Sequence, residues 1–358
     1  MVIALAAGRK FGMTTPGRVL FLYVWHSVFC VLYANVVLES GGDALDYYQL
    51  SLDPNPEFSV GTESVSYFAH LFSSMLGFSF LGVSFVFNIF GALGLLAFDS
   101  ALRSVVDGNG VRVRWLSTLI VLLPSVSFWS AAIGKDSIAF MAAGLALWAS
   151  LSMPRRFGVM VLAATSMFVV RPHMAGLLIV AIAASQIISS RISLAWRLGL
   201  AAVALGSAAI VVPFALDYAG LGDAGTASDI GQYIESRQSY NREGGGGINI
   251  AELSLPMQLF AFLFRPLPFE AVNGFALAAS VENAILLALF AAGAWGMLRK
   301  GGGHALPNRA FLWIYCCSAW LLLAMVTANL GISLRQKWMF LPMLLCILIC
   351  YVGKARSR

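Results

Sequence analysis

Charge is scarce in this sequence. Asp, Glu, Lys and Arg make up 11% of the 358 residues, whereas 59% of the residues are hydrophobic. An average soluble domain carries about 25% charged residues. Too few charged side chains are present to cover a water-exposed surface, which excludes a cytosolic enzyme, a nucleic-acid-binding protein and a disordered scaffold. The excess of 23 basic over 17 acidic residues is therefore interpreted as membrane topology, and no nucleic acid is expected as a partner.

Common signatures of catalysis and metal binding are missing as well. The sequence has no Gly-x-Ser-x-Gly elbow, no Walker motif and no dinucleotide fingerprint, so an enzyme that uses ATP or a nicotinamide is not expected. No cluster of His, Cys, Asp and Glu has the spacing of a zinc site. We predict no structural disulfide, because all five cysteines lie in apolar runs, where they act as small hydrophobic residues. They are Cys30, Cys316, Cys317, Cys346 and Cys350.

Long apolar runs are what the sequence has instead. A helix needs about 20 apolar residues to cross a hydrocarbon core of about 30 Å. Ten candidate spans follow along the chain, at residues 19–38, 78–98, 115–133, 137–153, 157–170, 174–190, 198–216, 273–298, 310–328 and 338–352. The predicted fold class is all-α, a polytopic transmembrane helix bundle of about ten spans. Residues 1–358 are predicted to form a single transmembrane domain.

The distribution of basic residues orients this bundle, because cytoplasmic loops of membrane proteins are enriched in Lys and Arg. With the N-terminus inside, sixteen of the 23 basic residues fall in cytoplasmic segments, where only Asp99 and Asp107 oppose them. Both termini are therefore predicted to be cytoplasmic. The two long polar segments, residues 39–77 and 217–272, become the first and second outer loops.

The first outer loop carries the candidate catalytic residues, Asp43 and Asp46. The two carboxylates share one face if their segment is helical, and Tyr47 follows where it can contact a ligand. A carboxylate held near lipid is suited to act as a general base, with Asp43 preferred. The alternative is that this segment only caps a short interfacial helix. No cofactor is assigned, although Asp43 together with Asp46 or Glu63 could hold Mg or Mn.

Two further features distinguish the outer loops. From Thr62 to Leu76 apolar residues recur at helical spacing, which predicts an amphipathic helix lying along the outer membrane interface. The second loop contains four consecutive glycines, Gly244 to Gly247. We interpret them as a flexible hinge, which favours a mobile lid.

Five cationic residues approach the outer face from separate parts of the chain: Lys135, Arg171, Arg265, Arg335 and Lys337. If they converge, they form a positively charged pocket that binds phosphate or pyrophosphate. His173, close to Arg171 in the sequence, and Glu282, inside the eighth span, complete the predicted substrate-binding set. The alternative is that each cation pairs with an outer carboxylate or reaches a lipid phosphate.

Several of these stretches are similar to bacterial membrane proteins of polysaccharide gene clusters. The segment from Gly41 to Tyr48, followed by the amphipathic helix, resembles the first outer loop of GT-C-type glycosyltransferases. Phe128-Trp129-Ser130, Lys135-Asp136, Arg171-Pro172-His173 and Arg335-Gln336-Lys337 resemble the EpsG-like and O-antigen-polymerase-like (Wzy) group. The chain departs from the GT-C pattern because it lacks an Asp-x-Asp motif.

The resemblance implies a multi-pass protein of the bacterial inner membrane. It further implies a polyprenyl-linked sugar donor, a glycan acceptor and polysaccharide-export proteins as partners, with Asp43 deprotonating the acceptor hydroxyl. The leading hypothesis is thus a membrane glycosyltransferase or polysaccharide polymerase. The alternatives are a flippase or exporter of lipid-linked glycans and a membrane acyltransferase with His26 or His173 as base. For His26, a role in helix packing is the preferred interpretation.

Overall fold

The computed structural model describes residues 1–13, 15–188, 198–199, 202, 206, 250, 253–300, 306–327 and 329–352. Every regular element in these ranges is helical, which confirms the all-α class for the described part of the chain. Most of the predicted span 198–216, most of the second outer loop and the glycines Gly244 to Gly247 lie outside the described residues.

The chain divides into two compact units, Met1–Pro172 and His173–Arg358. The helices of unit 1 are α1 (Val2–Lys10), α2 (Pro16–Ser40), α3 (Asp43–Leu50), α4 (Thr62–Ser73), α5 (Phe80–Val106), α6 (Val111–Val121), α7 (Pro124–Ser130), α8 (Lys135–Ser150) and α9 (Met153–Val170). The single domain predicted for residues 1–358 stays a prediction.

The helices of unit 2 begin with α10 (Pro172–Ile188), whose first residue closes unit 1. The described helices that follow are α11 (Leu255–Phe264), α12 (Gly274–Lys300), α13 (Arg309–Val326), α14 (Leu330–Gln336) and α15 (Leu341–Val352), with short 3-10 helices at Pro268–Glu270 and Lys337–Met339. The helix Leu255–Phe264 lies in the predicted second outer loop, where no helix was expected.

Six described helical segments are long and apolar enough to cross a membrane: Pro16–Ser40, Phe80–Val106, Val111–Ser130, Met153–Val170, Gly274–Arg299 and Arg309–Val326. A further pair, Leu330–Met339 and Leu341–Val352, bends by 69° and is either a broken span or a re-entrant loop. These segments make the chain a multi-pass helical membrane protein. The predicted total of ten spans is not confirmed, because the helices at 135–150 and 172–188 have only 16 and 17 residues.

The third predicted span is interrupted near its centre. α6 ends at Val121 and α7 begins at Pro124. Proline lacks an N–H and disfavours helical backbone in the residue before it, so a helix restarts at a proline more readily than it passes through one. The second part of the span, α7, ends at Ser130. A short turn then leads to Lys135 at the start of α8.

Unit 1 is built around close packing of α5 and α8. Every residue from Ala139 to Ser150 in α8 is buried, as expected for a helix that is apolar on all sides. The two backbones approach closely at paired glycines, because a Cβ added to Gly144 would lie 2.5 Å from the carbonyl oxygen of Gly94, and one added to Gly94 would lie 2.8 Å from the Cα of Met141. Small residues at such crossings let helices in a membrane pack tightly.

We expect Gly144→Ala to lower the stability of the protein by about 1–3 kcal/mol, since the added methyl group collides with backbone that cannot rotate away. The control is Gly158→Ala in α9, where an added Cβ meets nothing within 4 Å and alanine favours the helix. Thermal unfolding of both purified variants in detergent measures the effect. Equal melting temperatures for the two variants would contradict the packing described for α5 and α8.

Candidate functional site

Arg171 and Asp136 form an ion pair in unit 1. Arg171 follows α9 and precedes Pro172, which forces its backbone out of the helical region, to φ −147° and ψ 75°. Its side chain is 8% exposed, and Nη2 lies 2.6 Å from Oδ1 of Asp136, which stands in the first turn of α8. A carboxylate at this position also interacts favourably with the helix N-terminus. The pair therefore joins the start of α8 to the end of α9.

Lys135 extends this arrangement to the first outer loop. Its Nζ donates to Oγ1 of Thr62 at 2.9 Å, at the first residue of α4. The same end of α4 is fixed to α9, because the Gly61 N–H and the Ser64 hydroxyl both donate to the carbonyl oxygen of Val169, at 2.8 and 3.0 Å. We name Thr62, Lys135, Asp136 and Arg171 the unit 1 cluster.

The predicted catalytic carboxylates lie on α3, which packs against α4. Asp43 and Asp46 both lie in the first turn of α3, so their segment is helical, as a shared face requires. Both carboxylates are exposed, whereas Tyr47 is buried. α3 is held to α4 by Ser51, whose hydroxyl lies 2.8 Å from that of Ser73. Asp43 therefore belongs to the pair of helices, α3 and α4, that contacts Lys135 through Thr62.

The predicted amphipathic helix is present as α4, and its packing differs from the expectation in one respect. Ser66 and Ser73 are polar residues of this helix, yet both are buried. Ser73 is satisfied by hydrogen bonds to Ser51 and to the carbonyl oxygen of Ala69. His70, also on α4, is half-buried, and its Nδ1 lies 3.0 Å from the carbonyl oxygen of Ser51. Polar as well as apolar contacts thus hold α3 and α4 together.

A second arrangement of charges lies in unit 2, in the turn between α11 and α12. Arg265 ends α11 in extended backbone, and its guanidinium contacts both carboxylate oxygens of Glu270, with Nε 3.1 Å from Oε2. Glu270 also accepts the backbone N–H of Leu267 at 2.8 Å. The guanidinium of Arg265 lowers the pKa of Glu270 below its usual value. This turn therefore holds an ion pair between Arg265 and Glu270.

Lys337 lies in the same part of unit 2 and is fully buried. Its Nζ donates to Oδ1 of Asn283 at 2.6 Å, and the Asn283 amide donates to the carbonyl oxygen of Pro266 at 3.1 Å. Glu282, which is 5% exposed, also interacts electrostatically with Lys337. We name Arg265, Glu270, Glu282, Asn283 and Lys337 the unit 2 cluster.

The five outer cations thus divide between the two units. Lys135 and Arg171 belong to the unit 1 cluster, and Arg265 and Lys337 to the unit 2 cluster. Arg335, half-buried, lies on α14 two residues before Lys337. Arg171 and Arg265 each pair with a carboxylate, as the alternative interpretation had it. A single chamber formed by all five stays a prediction, as do the binding roles of His173, half-buried in α10, and of Glu282.

Two amides were overlooked in the sequence. Asn283 links Lys337 to the Arg265 turn, and Asn88 in α5 contacts His26 of α2, with Oδ1 2.5 Å from Nδ1. Nε2 of His26 lies 3.0 Å from the hydroxyl of Ser130, so both ring nitrogens of this buried histidine are occupied by neighbouring helices. Such contacts suit a helix-packing residue better than the base of an acyltransferase. A lone amide inside an apolar run was the signal available in the sequence, because burying one without partners is costly.

Within the described residues, no group of three or more His, Cys, Asp or Glu side chains is placed to hold a metal ion. Glu63, which was considered as a partner of Asp43 for Mg or Mn, accepts a hydrogen bond from Ser59 instead.

Comparison of the chain with family models, curated proteins and solved structures finds no match.

The Arg265–Glu270 pair is expected to make the stability of the folded protein depend on pH. Because folding lowers the pKa of Glu270 from 4.5, its carboxylate stabilises the folded state above that pH, and the contribution is lost as the pH falls through the lower folded value. We expect Glu270→Gln to lower the melting temperature near neutral pH, and the difference from the wild type to shrink below about pH 4.5.

Glu57→Gln, at an exposed carboxylate of the first outer loop, is the matched control. Melting temperatures of the three proteins in the same detergent, measured across this pH range, make the comparison. A wild-type to Glu270→Gln difference that stays constant with pH would show that the pair is not the source of the effect.

Proposed function

We propose that this protein is a glycosyltransferase or polysaccharide polymerase of the bacterial inner membrane that takes its sugar from a polyprenyl phosphate or pyrophosphate. The observation that carries the proposal is the burial of Lys337, an ammonium with no exposed surface, between Asn283 and the bend that separates α14 from α15. Ionisable residues inside a membrane bundle are costly and mark sites of function. Helices broken within membrane proteins commonly form substrate sites.

The proposed reaction divides its work between a base and fixed cations. An acceptor hydroxyl attacks the anomeric carbon of the donor sugar, a new glycosidic C–O bond forms, and the C–O bond to the lipid phosphate breaks. Asp43 takes the proton of the hydroxyl, and the bonding electrons leave with the phosphate. Arg171, which belongs to the same unit as Asp43, is proposed to stabilise that negative charge, and Lys337 and Arg265 are proposed to bind a phosphate within unit 2.

The contacts of these cations support such a role, because each side chain is held in place before any substrate binds. Glu270 holds Arg265 through both carboxylate oxygens, Asp136 holds Arg171, and Asn283 holds Lys337. Preorganised charges need no rearrangement as the reaction proceeds, which is the main source of electrostatic catalysis. An apolar bundle also offers a solvent for the long isoprenoid chain of the donor.

To test the proposal, purified variants are incubated in detergent with an undecaprenyl-linked sugar and an oligosaccharide acceptor, and the released lipid phosphate is measured. We expect Asp43→Asn and Lys337→Met each to lower the turnover rate at least about 100-fold, since one removes a base and the other a fixed cation. Glu57→Gln and Arg112→Gln, at exposed positions, are matched controls with the same change of charge.

Equal melting temperatures of wild type and variants exclude misfolding as the cause of a loss. Sugar transfer that is unchanged in both Asp43→Asn and Lys337→Met would refute the assigned roles. No transfer by the wild type with any polyprenyl-linked donor would refute the proposed activity.

A flippase or exporter of lipid-linked glycans is the second candidate, and one observation favours it. Arg18 binds Asp99, and His26 binds Asn88, so polar contacts join α2 and α5 at two levels. His26 follows Arg18 by eight positions, which corresponds to about 12 Å along the helix.

Proteoliposomes separate the two candidates. A transporter moves a fluorescent undecaprenyl-linked sugar from one leaflet to the other without breaking its phosphate bond, whereas a transferase releases lipid phosphate even in detergent. Leaflet exchange that persists in Asp43→Asn, with no release of lipid phosphate, would favour the transporter.

A further inference from the structure

A cavity of about 700 Å³ opens at the end of unit 1 that carries the basic residues of the predicted cytoplasmic face. Four arginines line it: Arg18, Arg103, Arg114 and Arg156. Asp107 also stands on the wall, and Asp99 lies behind Arg18 as its ion-pair partner. The four guanidinium groups exceed these two carboxylates, which leaves the cavity positively charged. We name it the basic cavity.

Two of the arginines are fixed by the protein itself. Arg18 binds both carboxylate oxygens of Asp99, at 2.9 and 2.5 Å, and reaches the hydroxyl of Thr118 at 3.3 Å. The guanidinium of Arg156 lies 3.6 Å from the ring centroid of Trp148 and donates to that residue's carbonyl oxygen at 2.6 Å. These contacts hold both side chains at the wall instead of leaving them to extend toward lipid phosphates, as surface arginines do.

The other two arginines, Arg103 and Arg114, are exposed on the wall of the cavity. Neither forms an ion pair with any residue in the described part of the chain. They come from different helices, α5 and α6, and so approach the cavity from two directions. Arginine forks in this arrangement match the oxygens of a phosphate group, to which they bind in pairs.

Three aromatic side chains, Phe11, Trp115 and Trp148, also line the cavity, together with several serine and threonine residues. Trp115, beside Arg114, is 70% exposed, and tryptophans that are exposed on membrane proteins gather at the membrane–water interface. Phe11 packs edge-on against Trp148, with ring centroids 5.0 Å apart. The lining thus combines arginines with aromatic side chains, which suits a ligand that has both a phosphate and an apolar part.

We propose that the basic cavity binds the phosphate group of an amphipathic molecule, and that Arg103 and Arg114 contact its oxygens. The headgroup of an anionic phospholipid from the adjacent leaflet has this chemistry, and basic pockets between transmembrane helices bind such headgroups. A soluble phosphorylated compound shares the phosphate and lacks the apolar part. The site is independent of the clusters to which the sugar transfer is assigned.

Binding of short-chain phosphatidylglycerol to the purified full-length protein in a neutral detergent tests the proposal, with native mass spectrometry as the readout. We expect Arg103→Gln combined with Arg114→Gln to weaken binding at least about tenfold, because each change removes a charge-assisted hydrogen-bond donor. The matched control combines Arg112→Gln with Arg155→Gln, which removes the same charge at exposed neighbouring positions outside the cavity wall.

Phosphatidylcholine with the same acyl chains and inorganic pyrophosphate serve as further probes. Preferential binding of phosphatidylglycerol, lost in the cavity variant only, supports a lipid headgroup as the ligand. Pyrophosphate that binds with the same dependence on Arg103 and Arg114 supports the phosphate site and assigns it to a soluble compound. Equal weakening in the cavity variant and its control, at equal melting temperatures, would overturn the proposal.

Discussion

Every buried charge in an apolar bundle must find a partner, and this requirement organises both units of the protein. A guanidinium or ammonium inside protein cannot keep its hydration, so it is stable only where a carboxylate, an amide or a carbonyl oxygen replaces water. Asp99 forms an ion pair with Arg18, Asp136 forms one with Arg171, and Asn283 accepts a hydrogen bond from Lys337. Each of these contacts joins residues distant in sequence, so each one also fixes the relative placement of two helices.

Several interruptions of the helices lie next to prolines, and two of them carry a paired arginine. The links at Leu122–Leu123, Arg171 and Arg265 each stand one or two residues before a proline. At the latter two, the side chain released from the helix is an arginine that turns to a carboxylate nearby. Proline therefore has two effects at these positions, since it ends the helix and leaves the preceding residue in extended backbone. Breaks in helices and fixed charges occur together for this reason.

Much of the architecture follows from composition and hydropathy alone. The apolar runs predicted the helical class, the long first, second and eighth spans, and the amphipathic helix of the first outer loop. The predicted total of ten spans is not confirmed. In α8, every residue from Ala139 to Ser150 is buried among other helices, so its apolarity does not by itself indicate contact with lipid. Hydropathy measures how readily a residue leaves water, and it does not distinguish burial inside the protein from contact with lipid.

The candidate site was predicted in part. Arg171 and Lys337 stood out because they are cations at the ends of apolar runs, and both are buried. Their partners were harder to find, since Asn283 carries no charge and Asp136 neighbours a lysine in sequence but pairs with an arginine 35 residues away. Pairing over such distances depends on the packing of helices, which a pattern within one helix does not encode.

The contact between His26, Asn88 and Ser130 has a consequence for how this sequence can diverge. Each of the three side chains satisfies a neighbour, and Gly91 leaves the space they need, since a Cβ there would lie 2.0 Å from the Ser130 carbonyl oxygen. Replacing one member alone strands a polar atom in the interior. Single substitutions in this set are therefore unfavourable. We expect homologues either to keep His26, Asn88 and Ser130 together or to have replaced all three.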